Sequence, residues 1–250
     1  MSHPLATPST TELMVSVRSG AEAALALAEG VRWLDVKEPS RGSLGAADPQ
    51  TWQQIAVRLP HRTGVGDVRL SIALGEFVEV SGTAPIIPPR VDFIKVGLAG
   101  CATIDDWQAS AARWFEAISG DVQRVAVHYA DHRQANSPNL EAVLEFAQQV
   151  GCGAVLVDTF DKRTGPLTQL WQAQELVEFI DQVKSLGMLA VVGGSIRLSD
   201  LSQVSALGPD VIALRGAVCE RDRTGTIVSR RIADCLRSVE ASVAADDLED

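Results

Sequence analysis

The chain has 250 residues, 46% of them hydrophobic, and a formal net charge of −10. That length and apolar share suit one large domain of barrel size with a buried core rather than two comfortable ones. The acidic balance argues against nucleic acid and anionic membrane surfaces as partners, since both need a basic footprint, and no run approaches the roughly 20 apolar residues of a membrane span.

Residues 1–12, polar and carrying two prolines, read as a disordered lead. They have neither the basic n-region nor the apolar h-region of a secretory leader. Cys101, Cys152, Cys219 and Cys235 lack C-x-x-C spacing, so reduced thiols and a cytoplasmic setting are expected. Residues 13–17 form a compact apolar strand, followed by an alanine-rich helix over 20–29 that Gly30 ends. The second strand is 33–37, and Asp48-Pro49 opens a helix to about residue 59 by a cap-then-proline signal. The third strand is 69–76. Residues 78–90, with three prolines and a glycine, carry no helix signal.

From residue 91 the alternation is regular. Strands fall at 91–98, 124–129, 154–160, 188–192 and 211–215. Helices follow them: 103–118 capped by Thr103, one opened by Ser137-Pro138 and running to Val150, a long one over 168–186, a short one over 197–207, and 229–241. Strands nearly all followed by helices predict a (β/α)8 TIM barrel over residues 13–242, with an open doubly wound sheet as the alternative. Residues 243–250 read as an acidic, frayed tail.

The chemistry gathers at Trp33-Leu-Asp-Val-Lys-Glu-Pro-Ser-Arg-Gly-Ser-Leu-Gly45. Asp35 and Lys37 stand two residues apart and share one side of a strand that breaks at Pro39. Of 22 basic residues only Lys37, Lys95, Lys162 and Lys184 are lysine, and the first three end apolar strand-like runs. Lysine used there, and otherwise avoided, points to amine chemistry: a desolvated amine can attack a carbonyl or take a proton. Asp35 and Asp158 could shuttle protons beside it. In a barrel these ends meet on one face, together with Glu76, His128 and Arg215. The opposing possibility is a structural ion-pair network around the mouth.

Gly193-Gly194-Ser195 after the seventh strand and Arg215-Gly216 after the eighth occupy the places where barrels hold phosphate on backbone N–H groups. His128, Asp131 and His132 lie close in sequence, but with no second cluster of ligand spacing no metal is expected. Cys219 reads as an inert thiol and Lys184 as a solvated helix residue.

Four segments, Asp35-Val-Lys-Glu-Pro-Ser-Arg-Gly-Ser-Leu-Gly-Ala46, Phe93-Ile-Lys-Val-Gly-Leu98, Val157-Asp-Thr-Phe-Asp-Lys162 and Leu214-Arg-Gly-Ala-Val-Cys219, together resemble the (5-formylfuran-3-yl)methyl phosphate synthase family. The resemblance runs from about Leu13 to Leu236. It implies a lyase that joins two molecules of glyceraldehyde 3-phosphate, with loss of phosphate and water, into the furan precursor of methanofuran-type one-carbon carriers. It also implies Lys37 as the Schiff-base lysine, Lys95 as proton acceptor, and functional places for Asp35, Asp158 and Lys162. No cofactor is expected, because the iminium is itself the electron sink. The partners expected are small triose phosphates, and a homo-oligomer stays open. Gly75-Glu76 departs from the family's Gly-Asp, and residues 78–90 depart from its more helical connection. Two other readings stand beside this one: a Schiff-base aldolase for another phosphosugar, and a non-catalytic phosphosugar-binding barrel.

Overall fold

A computed structural model describes residues 11–246 apart from 62, 63, 65, 81 and 83, with nothing described for the side chains of 241–246. Eight parallel strands close into a barrel in sequence order: β1 (Glu12–Val17), β2 (Trp33–Val36), β3 (Arg69–Glu76), β4 (Phe93–Gly97), β5 (Gln123–Tyr129), β6 (Ala154–Asp158), β7 (Leu189–Val192) and β8 (Val211–Leu214). β8 pairs with β1, Val15 opposite Leu214, and this closure rules out the open sheet. The expected lead at 1–12 lies outside the described residues except at its end, where Glu12 already belongs to β1.

Helices cover the outside: α1 (Gly20–Ala28), α2 (Pro49–Ala56), α3 (Phe77–Val80), α4 (Trp107–Glu116), α5 (Leu140–Gln149), α6 (Leu167–Leu170), α7 (Ala173–Ser185), α8 (Leu201–Ala206) and α9 (Ser229–Asp246). None is long and apolar enough to cross a membrane. Local chemistry fixes their starts. Ser19 caps α1 by accepting from the Glu22 N–H, and Pro49 occupies the first position of α2.

Several boundaries differ from the sequence reading. Thr103 ends a single 3₁₀ turn, and α4 starts after Asp106. Asn139, not Ser137, caps α5, its side chain accepting from Ala142 N–H at 3.0 Å. The long helix expected over 168–186 is two, because Trp171 is extended at φ −115°, ψ 138°. A four-residue helix, α3, stands where no helix was expected, and α9 continues to Asp246, into the expected tail.

The pleat sorts the core into two shells. Every second residue of the strands points outward under the helices, as Leu34, Ile72, Ile94 and Val155 do. The alternate residues fill the barrel: Met14, Trp33, Phe93, Val125 and Val211 plug its lower end, with the Trp33 and Phe93 rings 5.0 Å apart. Two residues further along β1, β2 and β4 the filling turns polar, with Ser16, Asp35 and Lys95, joined by Ser71 of β3. Above this layer the barrel opens.

Candidate active site

The mouth holds a cavity of about 630 Å³ lined by Asp35, Lys37, Lys95, Asp158 and Lys162 and by the loops after β7 and β8. The strand period explains why these residues meet. Trp33, Asp35 and Lys37 climb one face of β2, as Phe93 and Lys95 do on β4 and Leu156 and Asp158 on β6.

At the base, the Lys95 ammonium donates to Asp35 Oδ1 at 2.6 Å, with the two side chains 2% and 1% exposed. Ser16 donates to the other Asp35 oxygen at 3.1 Å, and Lys95 reaches Ser71 Oγ at 3.4 Å. This pair is fixed on every side. Across the barrel, Lys162 donates to Asp158 Oδ1 at 2.5 Å and to the Thr159 carbonyl at 2.5 Å. Burial pulls the Lys162 pKa down, and Asp158 only partly restores it. Burial acts on Asp158 in the opposite sense, but the Lys162 and Lys37 ammonium groups outweigh it and hold the carboxyl below its usual range. Ser43, from the loop after β2, donates to Asp158 Oδ2 and to the Thr159 carbonyl, tying that loop across the mouth to β6.

Lys37 is different. It is 9% exposed, and its Nζ makes no hydrogen bond or ion pair to any described residue. Burial pushes its pKa from 10.5 down to about 8, helped by the neighbouring ammonium groups of Lys162 and Lys95 and opposed by Asp158 and Asp35. A buried amine without a partner, facing a cavity, has a neutral fraction at ordinary pH and can add to a carbonyl carbon.

The phosphate candidates divide. Gly194 (φ 100°) and Ser195 (φ 55°) are both left-handed and line the cavity, beside Gly193. A Cβ on Gly194 would stand 3.2 Å from the Thr159 backbone nitrogen, so glycine permits this close approach of the β6 and β7 loops. Gly216 starts a 3₁₀ turn, whose first N–H groups have no partner within the turn. The expectation at Arg215-Gly216 concerned backbone N–H groups, and the Arg215 side chain itself is committed elsewhere. Its five N–H groups go to Glu22, by two bonds, and to the carbonyls of Ser16, Arg223 and Gly225, leaving no donor over.

Other expected residues lie outside the cavity. Tyr129 takes the inward place at the end of β5, and His128 faces outward, its ring 5.7 Å from that of Trp171 and 5.5 Å from that of His132. Glu76 accepts from Tyr129 Oη at 2.6 Å and from Ala99 N–H at 3.0 Å, packed over Gly97, where a Cβ would collide with both side chains. Burial raises its pKa against those two bonds. Asp131 is spent on the N–H groups of Phe160 and Asp161. Cys219 is buried, with its thiol pKa raised by burial and its Sγ on the Arg215 carbonyl. Lys184 is partly exposed as expected, but it also reaches the Gly208 carbonyl and Asp210.

Sequence reasoning missed the rim. Arg221, Asp222 and Arg223 line the cavity from a hairpin after β8, closed by an antiparallel bridge between Cys219 and Ile227.

A parallel barrel with buried lysines and carboxylates converging on a cavity at the C-terminal ends of its strands is the architecture of a barrel enzyme. The 4-HFC-P synthase family model matches residues 13–236, and the chain belongs to that family. It is 32% identical over 237 residues to (5-formylfuran-3-yl)methyl phosphate synthase of Methanopyrus kandleri, covering 90% of this chain and 98% of the relative. Against the enzyme of the same name from Methanosarcina mazei the identity is 30% over 240 residues, with 90% and 99% covered. Among solved structures, phosphoribosylanthranilate isomerase from Thermotoga maritima aligns with a TM-score of 0.56 at 12% identity, covering 92% of this chain and 99% of that one. 3-Hexulose-6-phosphate synthase from Salmonella typhimurium gives 0.55 at 15%, covering 91% and 100%. At those identities the likeness is one of fold.

Proposed function

We propose that the chain condenses two molecules of glyceraldehyde 3-phosphate into (5-formylfuran-3-yl)methyl phosphate, through a Schiff base on Lys37, to supply a methanofuran-type one-carbon carrier. The observation that carries this reading is the unpartnered, pKa-lowered amine of Lys37 facing the cavity. The lone pair on Nζ adds to the aldehyde carbon of one triose phosphate, and loss of water leaves an iminium. The iminium draws off electrons as the adjacent carbon gives up its proton, which the Lys95–Asp35 pair accepts and passes on across its 2.6 Å contact. The resulting enamine expels phosphate and leaves an unsaturated iminium, and the enediol carbon of the second triose phosphate adds to its terminal carbon. Ring closure with dehydration forms the furan, and water hydrolyses the iminium to free the aldehyde from Lys37. Two three-carbon substrates balance one six-carbon product, one inorganic phosphate and two waters. Asp158, held ionised by Lys162 and Lys37, stabilises the cationic iminium beside it.

The test is incubation with glyceraldehyde 3-phosphate, with the furan aldehyde followed by mass spectrometry and inorganic phosphate measured in parallel. One phosphate per furan is expected. A condensed sugar without phosphate release would replace this reading by an aldolase, and binding without turnover would replace it by a phosphosugar-binding barrel.

A further inference from the structure

We infer that Arg223, with Lys162, forms a second phosphate-binding subsite in the mouth, distinct from the glycine turn after β7 and serving the phosphate monoester of the other triose. This deepens the proposed function and rests on it, since that reaction must hold two phosphates in one cavity.

The first support is charge. In a chain of net charge −10, the cavity is lined by eight lysine and arginine side chains against four aspartates, a formal excess of four positive charges. Two phosphate monoesters near neutral pH carry about three to four negative charges together. One glycine turn serves one phosphate; the remaining charge calls for a cation with free donors.

The second support is the hydrogen-bond inventory. Lys95 is closed in by Asp35 and Ser71, and Arg215 has spent all five donors. The three N–H groups of Lys162 go to Asp158 and to the carbonyl and hydroxyl of Thr159, so that Lys162 brings charge to the subsite but no free donor. Arg223 spends one: Nη2 donates to the Gly42 carbonyl at 2.6 Å, the side chain's only hydrogen bond to the described residues. Arg223 lines the cavity, close enough to Asp158 and Lys162 to interact with their charges. A planar fork beside an ammonium group suits a phosphate monoester, which takes two parallel N–H bonds from the one and a point charge from the other.

The third support is the way Arg223 is held. Arg215 grips the hairpin from below at the Arg223 and Gly225 carbonyls, backed by Glu22, and Arg18 bonds the Thr224 carbonyl at 2.6 Å. The Gly42 contact fastens the far end to the loop that follows Lys37. A surface arginine has no need of such bracing, whereas a ligand-positioning arginine gains by it.

The experiment counts bound inorganic phosphate by calorimetry in the wild type and in Arg223→Gln, whose neutral amide ends about where the arginine Nε stands and removes both the charge and the fork. Two phosphates per wild-type chain are expected, and one in the variant, with the second weakened at least about 10-fold. Thermal melting checks the fold; should R223Q melt early, Arg223→Lys decides the same question, because it keeps the charge and loses the fork. A wild type that takes one phosphate, or a folded variant that still takes two, would overturn the subsite. Borohydride trapping on Lys37 separates the two proposals. Two sites falling to one without any adduct leaves the subsite standing and removes the Schiff-base reading, whereas an adduct with unchanged phosphate stoichiometry does the reverse.

Discussion

Lys37 is costly where it stands. Its pKa, lowered from 10.5 to about 8, means that the unfolded chain binds more protons than the folded one between those values, so its contribution to stability rises with pH across that window and is most unfavourable below it. Replacing it by methionine is expected to raise stability at pH 7 by about 1–3 kcal/mol while lowering turnover by at least about 1,000-fold. Denaturant titration at pH 7 and pH 10 checks the sign, because the gain must shrink at the higher pH. His128 behaves alike at the acid end. Burial, aided by His132, takes its pKa from 6.5 to about 4, so stability is lost as pH falls through that interval, by up to about 3 kcal/mol. His128→Asn should flatten the melting temperature between pH 6.5 and 4.5 and leave activity at pH 8 near wild type; a steep loss of activity would mean that the ring reaches the chemistry after all.

At the scale of elements, the loops decide the site. Gly194 sits at φ 100° with Thr159 and Leu167 about it, and Gly194→Ala is expected to cost about 1–3 kcal/mol and to raise KM, measured by urea unfolding and steady-state kinetics. Glu22 and Arg215 form a buried pair under the β8 hairpin, and Glu22→Ala, which strands the arginine, should cost about 3–5 kcal/mol. The strands were readable in the sequence because each is a short apolar run ended by a polar or glycine-bearing loop. Lys37, Lys95 and Lys162 stood out for the same reason. The helix starts read less well, since Thr103 and Ser137-Pro138 are sound capping signals that local geometry used for turns instead. Nor does any periodicity reveal that Trp171 breaks a helix. The donors of Arg215 could not be apportioned from the sequence, because three of the five bonds go to β1 and α1 at the other end of the chain, and Arg223 escaped notice as one of 18 arginines.

For the molecule as a whole, an acidic body surrounds a cationic mouth. Such a field draws anionic substrates inward, and salt screens it over a Debye length of about 8 Å at 0.15 M ionic strength. kcat/KM for glyceraldehyde 3-phosphate should therefore fall as salt rises, with kcat little changed. The measurement that reaches the centre of this account is borohydride trapping with glyceraldehyde 3-phosphate across pH 6–10, followed by peptide mapping. The adduct is expected on Lys37, with a trapping rate that climbs with pH and levels off near pH 8, as burial of that amine requires. An adduct on Lys95 or Lys162, or none at any pH, would contradict it.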